Sequence, residues 1–392
     1  MSELMSRPLR WVLLENTPWR HAIRLPGHHM ARWLADRGHT VAYVAPPVSP
    51  WHFLSPSHRH MARTRWRMDG ALGTWRNERL FTATPRTWMP INRQWPFDSA
   101  LCWNAIESAT GPRFSEVLRE AGFERPDVVV MHNMLLPHLP ALLSPRLFVF
   151  RLEDDIAGFP AMPRIVVRRS PRLMAEADLV THSAIQSDLR ARSAGARNLM
   201  FFPNGVDTGR FARPEEMPSR PTDLPDGPVA IFVGALSSWF DRELLSETAR
   251  RLPHWNFVLV GPADAGFRRF RENPNVHLLG PKLQENVPRY LWHSDVGIIP
   301  FKRQPVVECF CPLNLFEYMA AGLPTVSRRW TEMTMLCSPA RLVDTADQFA
   351  AALEDAREKA AAEREGNVAW ARQYDWDNLF ERFVARVQGM LV

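Results

Sequence analysis

Arg151, Leu152, Glu153, Asp154 and Asp155 follow the apolar run RLFVF and set three carboxylates together at the end of a strand that reads as buried. Crowded carboxylates raise one another's pKa, which suits one of them to accept a proton near neutral pH. The C-terminal ends of parallel strands are also where α/β proteins build their sites. Asp154 and Asp155 are the candidates for that base. A helix N-cap at Asp155 and a carboxylate metal site are competing uses of the same acids. A second candidate is Glu317, in the first turns of a helix that starts near Leu313, after the apolar run DVGIIPF. Backbone N–H groups at such a helix start, with a carboxylate beside them, suit the phosphates and ribose of a nucleotide. An acid favoured by the helix dipole is the plainer alternative. Gly234 closes the run PVAIFVG and offers a phosphate a Cβ-free approach, as any strand-ending glycine would. His28 and His29 stand early in the first helix, placed to bind an acceptor or a donor sugar, and Arg20 and Arg24 lie in the loop before it, placed to meet an acidic sugar or a lipid diphosphate. Helix packing for a histidine and simple solvation of the arginines are the alternatives.

The elements that must position these residues are legible as a rhythm. RWVLLEN, the helix-like HHMARWLADRGH and TVAYVAP give strand, helix and strand in about 40 residues, the βαβ unit that opens a parallel doubly wound sheet. PDVVVMHN, RLFVFRLED and ADLVTHSA read as further buried strands. A Pro-rich, acidic connector, RPEEMPSRPTDLPDGP, interrupts the pattern. It then restarts with PVAIFVGAL, WNFVLVGP, NVHLLG, DVGIIPF and GLPTVS, separated by helix-like stretches such as DRELLSETARRL and NLFEYMAAG. The expectation is two α/β domains, 1–204 and 205–370, with a C-terminal helix over 371–392 returning to the first.

Composition bounds the answer without naming a chemistry. The 392 residues are ample for two domains, and 46% hydrophobic with 23% charged residues is ordinary for a globular protein. No run approaches the roughly 18 apolar residues of a membrane span, and MSELMSRPLRWVLLEN lacks the long apolar stretch of a secretory signal. A cytoplasmic protein is expected. Four cysteines, Cys102, Cys309, Cys311 and Cys337, form neither a disulfide framework nor a repeated CxxC zinc pattern. The net charge of +6 is unevenly placed: residues 51–103 hold eight Arg against three acids, and six of the fifteen Trp. Arg with Trp suits an anionic amphipathic surface, which makes the inner face of a membrane the expected partner of this stretch. Packing of the Trp in a core is the alternative. Nucleic acid is not expected, because no recognised binding module accompanies the charge.

From Val233 to Gly322 the sequence becomes specific. The runs VGALSSWFDRELL, WNFVLVGP, NPNVHLLGPKLQENVPRYLWHSDVGIIPF and LNLFEYMAAGLPTVS, in this order, resemble the donor domain of GT-B glycosyltransferases. Closest in kind are bacterial cell-surface polysaccharide transferases, including the xanthan-type glucuronosyltransferases. FPNGVDTGRF resembles the segment by which such enzymes enter that domain, and the N-terminal half is similar more weakly, chiefly at RLEDD and around Gly38. The resemblance implies two Rossmann-like domains facing a cleft. It implies that Glu317 binds the nucleotide ribose, that Phe301 stacks or packs near the base, and that Asp154, three residues after Arg151, is the catalytic base opposite the donor.

Two departures from the family pattern stand out. The Lys that family members carry three residues before the Glu is here Asn314, so Lys282, Lys302 or Arg303 must supply the charge for the diphosphate. The paired glutamates of many retaining members, spaced E-x7-E, are also absent: Cys309 holds the expected place and Glu308 is one residue off. The implied function is inverting, metal-independent transfer from a nucleotide-sugar, a UDP-sugar by resemblance, to a lipid-linked or saccharide acceptor in cell-surface polysaccharide synthesis. The nucleotide-sugar is a substrate, and neither a cofactor nor a metal is expected. A nucleotide-sugar epimerase of the same architecture and a catalytically silent partner subunit are the alternatives.

Overall fold

Near-continuous apolar runs are what a parallel sheet covered on both faces requires, and VVVM and LFVFRL are buried at every position. The computed structural model of the chain describes residues 7–20, 24–54, 62–63, 66, 70–90, 92–132, 134–153, 156–158, 162–264, 266–267, 270 and 273–392. Residues 1–202 with 380–392 form one compact unit, and 203–379 form another.

The first unit runs β1 (Arg10–Leu14), α1 (Pro26–Asp36), β2 (Thr40–Val44), β3 (Thr74–Asn77), β4 (Leu80–Ala83), α2 (Ala100–Ala105), α3 (Phe114–Glu120), β5 (Val128–Met131), α4 (Leu139–Leu143), β6 (Leu147–Leu152), α5 (Arg164–Glu176), β7 (Leu179–His182), α6 (Ser187–Ser193) and β8 (Leu199–Phe201). Its sheet has the order β3-β4-β2-β1-β5-β6-β7-β8. Every neighbouring pair is parallel except β3 with β4. That hairpin lies inside the Arg/Trp-rich stretch, which carries no strand signal in the sequence. TWRN and LFTA are too short to show a period, but the turn had a signal: the Asn77 side chain accepts hydrogen bonds from the N–H groups of Arg79 and Leu80. The chain builds outward from β1 through β2 and β4, then returns to the other side of β1 with β5. The order therefore reverses between β1 and β5, where α/β sheets open a crevice at their C-terminal edge.

The second unit runs α7 (Thr208–Phe211), β9 (Val229–Val233), α8 (Arg242–Arg251), β10 (Asn256–Val260), β11 (Val276–Gly280), α9 (Val287–Trp292), β12 (Val296–Ile299), α10 (Leu313–Ala320), β13 (Thr325–Arg328), α11 (Thr331–Met335), β14 (Arg341–Val343) and α12 (Ala346–Arg372). Its sheet, β11-β10-β9-β12-β13-β14, is wholly parallel and reverses between β9 and β12. The last helix, α13 (Trp376–Leu391), begins among residues of the second unit and ends in the first. Its Phe380 and Phe383 are buried against Trp33, Trp11 and Phe202, at ring separations of 5.7, 5.9 and 5.3 Å. Each such aromatic side chain contributes roughly 1.5–3 kcal/mol on full burial, enough to hold the chain end in place.

Candidate functional site

At the reversal point of the first sheet, three neighbouring strands each end on a residue that can carry charge. Glu15 follows β1, His132 follows β5 and Glu153 follows β6. Because β1 and β5 pair Leu14 with Met131, Glu15 and His132 emerge side by side. His132 Nδ1 lies 3.2 Å from Glu15 Oε2, and Nε2 lies 2.8 Å from Glu153 Oε2. Arg151 completes the chain of charges, its Nε donating to Glu153 Oε1 at 2.6 Å while its guanidinium lies over the Phe202 ring. Burial alone disfavours charge on His132, but the two carboxylates outweigh it and raise its pKa to about 10. Burial pushes Glu153 up, yet His132 and then Arg151 hold it down to about 2. The network is thus an imidazolium between two carboxylates, backed by a guanidinium.

The network is deep and not fully satisfied. Glu15 and Arg151 are each 3% exposed, and among the described residues Glu15 Oε1 and both terminal nitrogens of Arg151 have no hydrogen-bond partner. Gly27, in the first turn of α1, lies so close to Glu15 that a Cβ there would stand 2.1 Å from its carboxyl carbon. Only glycine fits, and the helix start above it favours the negative charge. Asp154 and Asp155 come directly after Glu153 and lie outside the described residues. Among the described residues no group of three His, Cys, Asp or Glu is disposed to hold a metal ion.

The other first-unit candidates are placed differently. His28 is buried: its Nδ1 accepts from the Leu25 N–H, so Nε2 carries the proton toward the Pro18 carbonyl at 3.1 Å. It packs among Trp19 and Tyr43, as a helix-start residue. Arg24 donates to the Trp19 carbonyl and lies over its ring, while Arg20 is exposed and His29 partly so.

In the second unit, α10 starts behind β12 with Pro312 at its N-cap and no side chain capping its first turn. Glu317 is partly buried near the same sheet edge. It has no hydrogen-bond or ion-pair partner among the described residues; burial raises its pKa to about 7 against the lowering charge of Arg210. Leu313 opens the helix. Asn314 is buried on the helix that carries Tyr318, whose hydroxyl accepts from the Val233 N–H at 2.8 Å and so ties α10 to β9. The place where a cation was sought is therefore taken by a neutral, buried side chain. Gly234 donates its N–H to Val260, and its carbonyl is so close to Gly261 that a Cβ there would lie 2.0 Å from the oxygen.

The three candidate cations separate cleanly. Lys282 pairs with Asp223 of the connector at 2.6 Å, and Arg303 with Asp344 at 2.8 Å. Lys302 follows β12 and Phe301, is partly exposed, and has no ion pair among the described residues. Arg328, at the end of β13, is a further cation on this edge, 3.3 Å from Asp241. Phe301 is buried, stacked on Trp330 and edge-on to Phe232 and Phe310, in the core. Glu308 accepts from the N–H and hydroxyl of Thr331, capping α11.

Sequence reasoning passed over Glu15, His132, Tyr318 and Arg328. For the first two a signal existed: each is the first polar residue after a central apolar run, in RWVLLE and VVVMH.

Two doubly wound parallel sheets in one chain, each with polar residues at its reversal point, define the GT-B architecture, and solved structures of that fold superpose over nearly the whole chain. HepE of Anabaena, in complex with UDP and glucose, gives a TM-score of 0.67 at 15% identity, covering 96% of this chain and 99% of that one. Sucrose-phosphate synthase from Thermosynechococcus elongatus gives 0.68 at 16% identity, covering 97% and 98%. Residues 227–359, within the second unit, match the family Glycosyl transferases group 1. TuaH of Bacillus subtilis (strain 168), whose name assigns it as a glycosyltransferase of teichuronic acid biosynthesis, is 29% identical over 179 residues, a match spanning 44% of each chain.

Proposed function

We propose that this chain transfers a sugar from a nucleotide-sugar, a UDP-sugar, to a lipid-linked or saccharide acceptor in cell-surface polysaccharide synthesis, with inversion and without a metal or cofactor. The observation that carries the donor half is Glu317: an unpartnered, partly buried carboxylate behind an uncapped helix start, in the domain that matches group 1 glycosyltransferases. Ribose hydroxyls donating to Glu317 satisfy it, and Lys302, with Arg328 behind it, faces the diphosphate in place of the cation that Asn314 does not supply. The names of TuaH and of the HepE complex support the pathway and the UDP donor.

On the acceptor side, the protonated state of His132 has a chemical consequence. An imidazolium clamped by two carboxylates cannot take the acceptor's proton near neutral pH, and Glu153, held ionised by two cations, is a poor base. Asp154, with Asp155 as alternative, is left as the base, and Arg151 as a charge near the acceptor. Incubation with UDP-, GDP- and ADP-sugars, read by release of nucleoside diphosphate, tests the assignment. Slow hydrolysis of a UDP-sugar alone is expected; no hydrolysis and no nucleotide binding would make the chain a silent subunit, and epimerised donor would make it an epimerase.

The acceptor unit docks on the anionic inner face of a membrane, in this reading. Trp95 and Trp88 are 87% and 70% exposed, with Trp51, Leu54 and Leu101 also exposed, whereas Trp103 is buried. Arg59, Arg65 and Arg67 lie outside the described residues. Each basic residue near such a surface contributes about 1 kcal/mol. Liposome flotation tests this: binding to anionic vesicles in low salt, release in high salt, and loss on replacing Arg59, Arg63, Arg65 and Arg67 by Gln are expected. Equal recovery with neutral vesicles refutes the docking.

A further inference from the structure

The second unit holds a cavity at the end of its sheet opposite to the C-terminal edge. It measures about 320 Å³, and its lining includes Arg213, Arg220, His293, Asp295, Gly322 and Arg364. Its place in the fold is set by strand starts: Asp295 directly precedes β12, Pro324 directly precedes β13, and Gly227 stands just before β9. Helix α10 joins the two ends, with its first residues behind the C-terminal edge and Ala321 and Gly322, just beyond its last, in the cavity wall.

Three arginines line this cavity against a single carboxylate. Asp295 is the acid in the lining, and it is already engaged: Oδ2 accepts from the Val229 N–H at 2.8 Å, and Oδ1 faces Arg357 at 3.4 Å. Arg220 donates to the carbonyls of His293 and Pro225, which fixes its plane, while its buried Nε has no partner among the described residues. Neither Arg213 nor Arg364 makes a hydrogen bond or ion pair among the described residues. Both line the same cavity, and partial burial, then the charge of Arg364, lowers the pKa of Arg213. The stem of Arg364 lies on Gly322, where a Cβ would come within 2.6 Å of its Cγ.

Arginines often gather at helix C-termini to take up free carbonyls, and Arg220 does this for α9 through His293. Arg213 and Arg364 take no such carbonyl, so capping does not account for them. Arg213 and Arg364 are both exposed at this cavity, and like charges gathered at one place repel less when a counter-charge joins them. Guanidinium forks match phosphate oxygens in geometry as well as charge.

We propose that this cavity is a second anion site, which binds a phosphate group through Arg213, Arg220 and Arg364. Its volume lies at the lower end of small-ligand pockets, about 300–1,000 Å³, so the ligand is inorganic phosphate or a small phosphomonoester rather than a nucleotide-sugar. The site is separate from the one assigned to the donor and does not depend on that assignment.

Calorimetric titration of the full chain at constant ionic strength tests it, using inorganic phosphate, glucose 6-phosphate and chloride in turn, with and without UDP. Phosphate or glucose 6-phosphate is expected to bind equally in the presence of UDP, and the tighter of the two identifies the source of the group. The double variant Arg213→Gln, Arg364→Gln, both surface changes, is expected to weaken that binding by at least about tenfold and to leave UDP affinity and Tm unchanged. Absence of binding by both phosphates, or equal affinity in the double variant, overturns the proposal. Loss of phosphate binding in the variant of a chain that never binds UDP leaves this site standing and removes the donor reading alone.

Discussion

The reversal points of the two sheets solve opposite problems with the same acid. In the first unit, Glu153 sits between His132 and Arg151 and is held ionised, so the protein itself supplies every partner the charge needs. In the second, Glu317 has no partner among the described residues and only the more distant charge of Arg210 to favour its ionised form. A buried charge that is paired is fixed in its state and rigid in its place, at the cost of dehydrating both partners. A carboxylate left unpaired is poised, because whatever brings it donors gains the bonds it lacks. The first arrangement suits a wall against which an acceptor is oriented, and the second suits a grip on a ligand that comes and goes.

The contrast is broken most sharply by the residue beside the first network. Asp154→Asn should lower transfer by about 10²–10⁴, the usual contribution of a general base, with UDP affinity unchanged. If transfer survives and Asp155→Asn abolishes it, the base moves one residue along. Next in size is His132→Ala, which strands two buried carboxylates and should cost about 3–5 kcal/mol of stability in urea unfolding. The sign with pH follows from the shifts. Glu153, with a lowered pKa, stabilises above its ordinary 4.5, and that contribution is lost as pH falls toward about 2. His132, with a raised pKa, stabilises fully below its ordinary 6.5, and its contribution is lost as pH rises through about 10. The difference between wild type and variant should therefore be greatest between about pH 4.5 and 6.5. A flat, small difference would mean that the network carries no net charge pairing.

Glu317→Ala should do the reverse. UDP affinity should fall by about ten- to a hundredfold, the range of hydrogen bonds to a charged group, and stability should hold or rise, because an uncompensated carboxylate has been removed. Unchanged UDP affinity in calorimetry would separate Glu317 from the donor site.

What the sequence disclosed follows the same division. The parallel strands announced themselves, because runs such as VVVM and AIFV are buried on both faces and have few other uses. Glu317 was found because a helix start behind a strand is a local arrangement. The Glu15–His132–Glu153 network was not found, since its members are 117 and 21 residues apart and meet only through strand order, which no short motif encodes. The fate of the candidate cations was hidden for the same reason: Lys282 is claimed by Asp223 and Arg303 by Asp344, partners some 59 and 41 residues away. Asn314 looked like a lost cation, but it is a buried residue one turn before Tyr318, whose hydroxyl is the tie between α10 and β9.

The smallest effect is also the most discriminating, since it uses pH to ask whether Glu317 is a grip or merely a poorly placed acid. Its folded pKa, raised to about 7 from an ordinary 4.5, means that the stability it contributes is fully present below pH 4.5 and is lost as pH rises through about 7. Relative to Glu317→Gln, the free protein should thus lose stability between pH 5 and 8. Ribose hydroxyls donate to the ionised carboxylate, so UDP affinity should move the opposite way, rising by up to about tenfold from pH 6 to 8. The UDP phosphate ionises in part of this range too, so the Gln variant must be titrated alongside to remove that contribution. Opposite slopes for stability and affinity, both absent in Glu317→Gln, are the expected result. Parallel slopes, or an affinity profile identical in wild type and Gln variant, would leave Glu317 as a dehydrated acid with no part in holding the nucleotide.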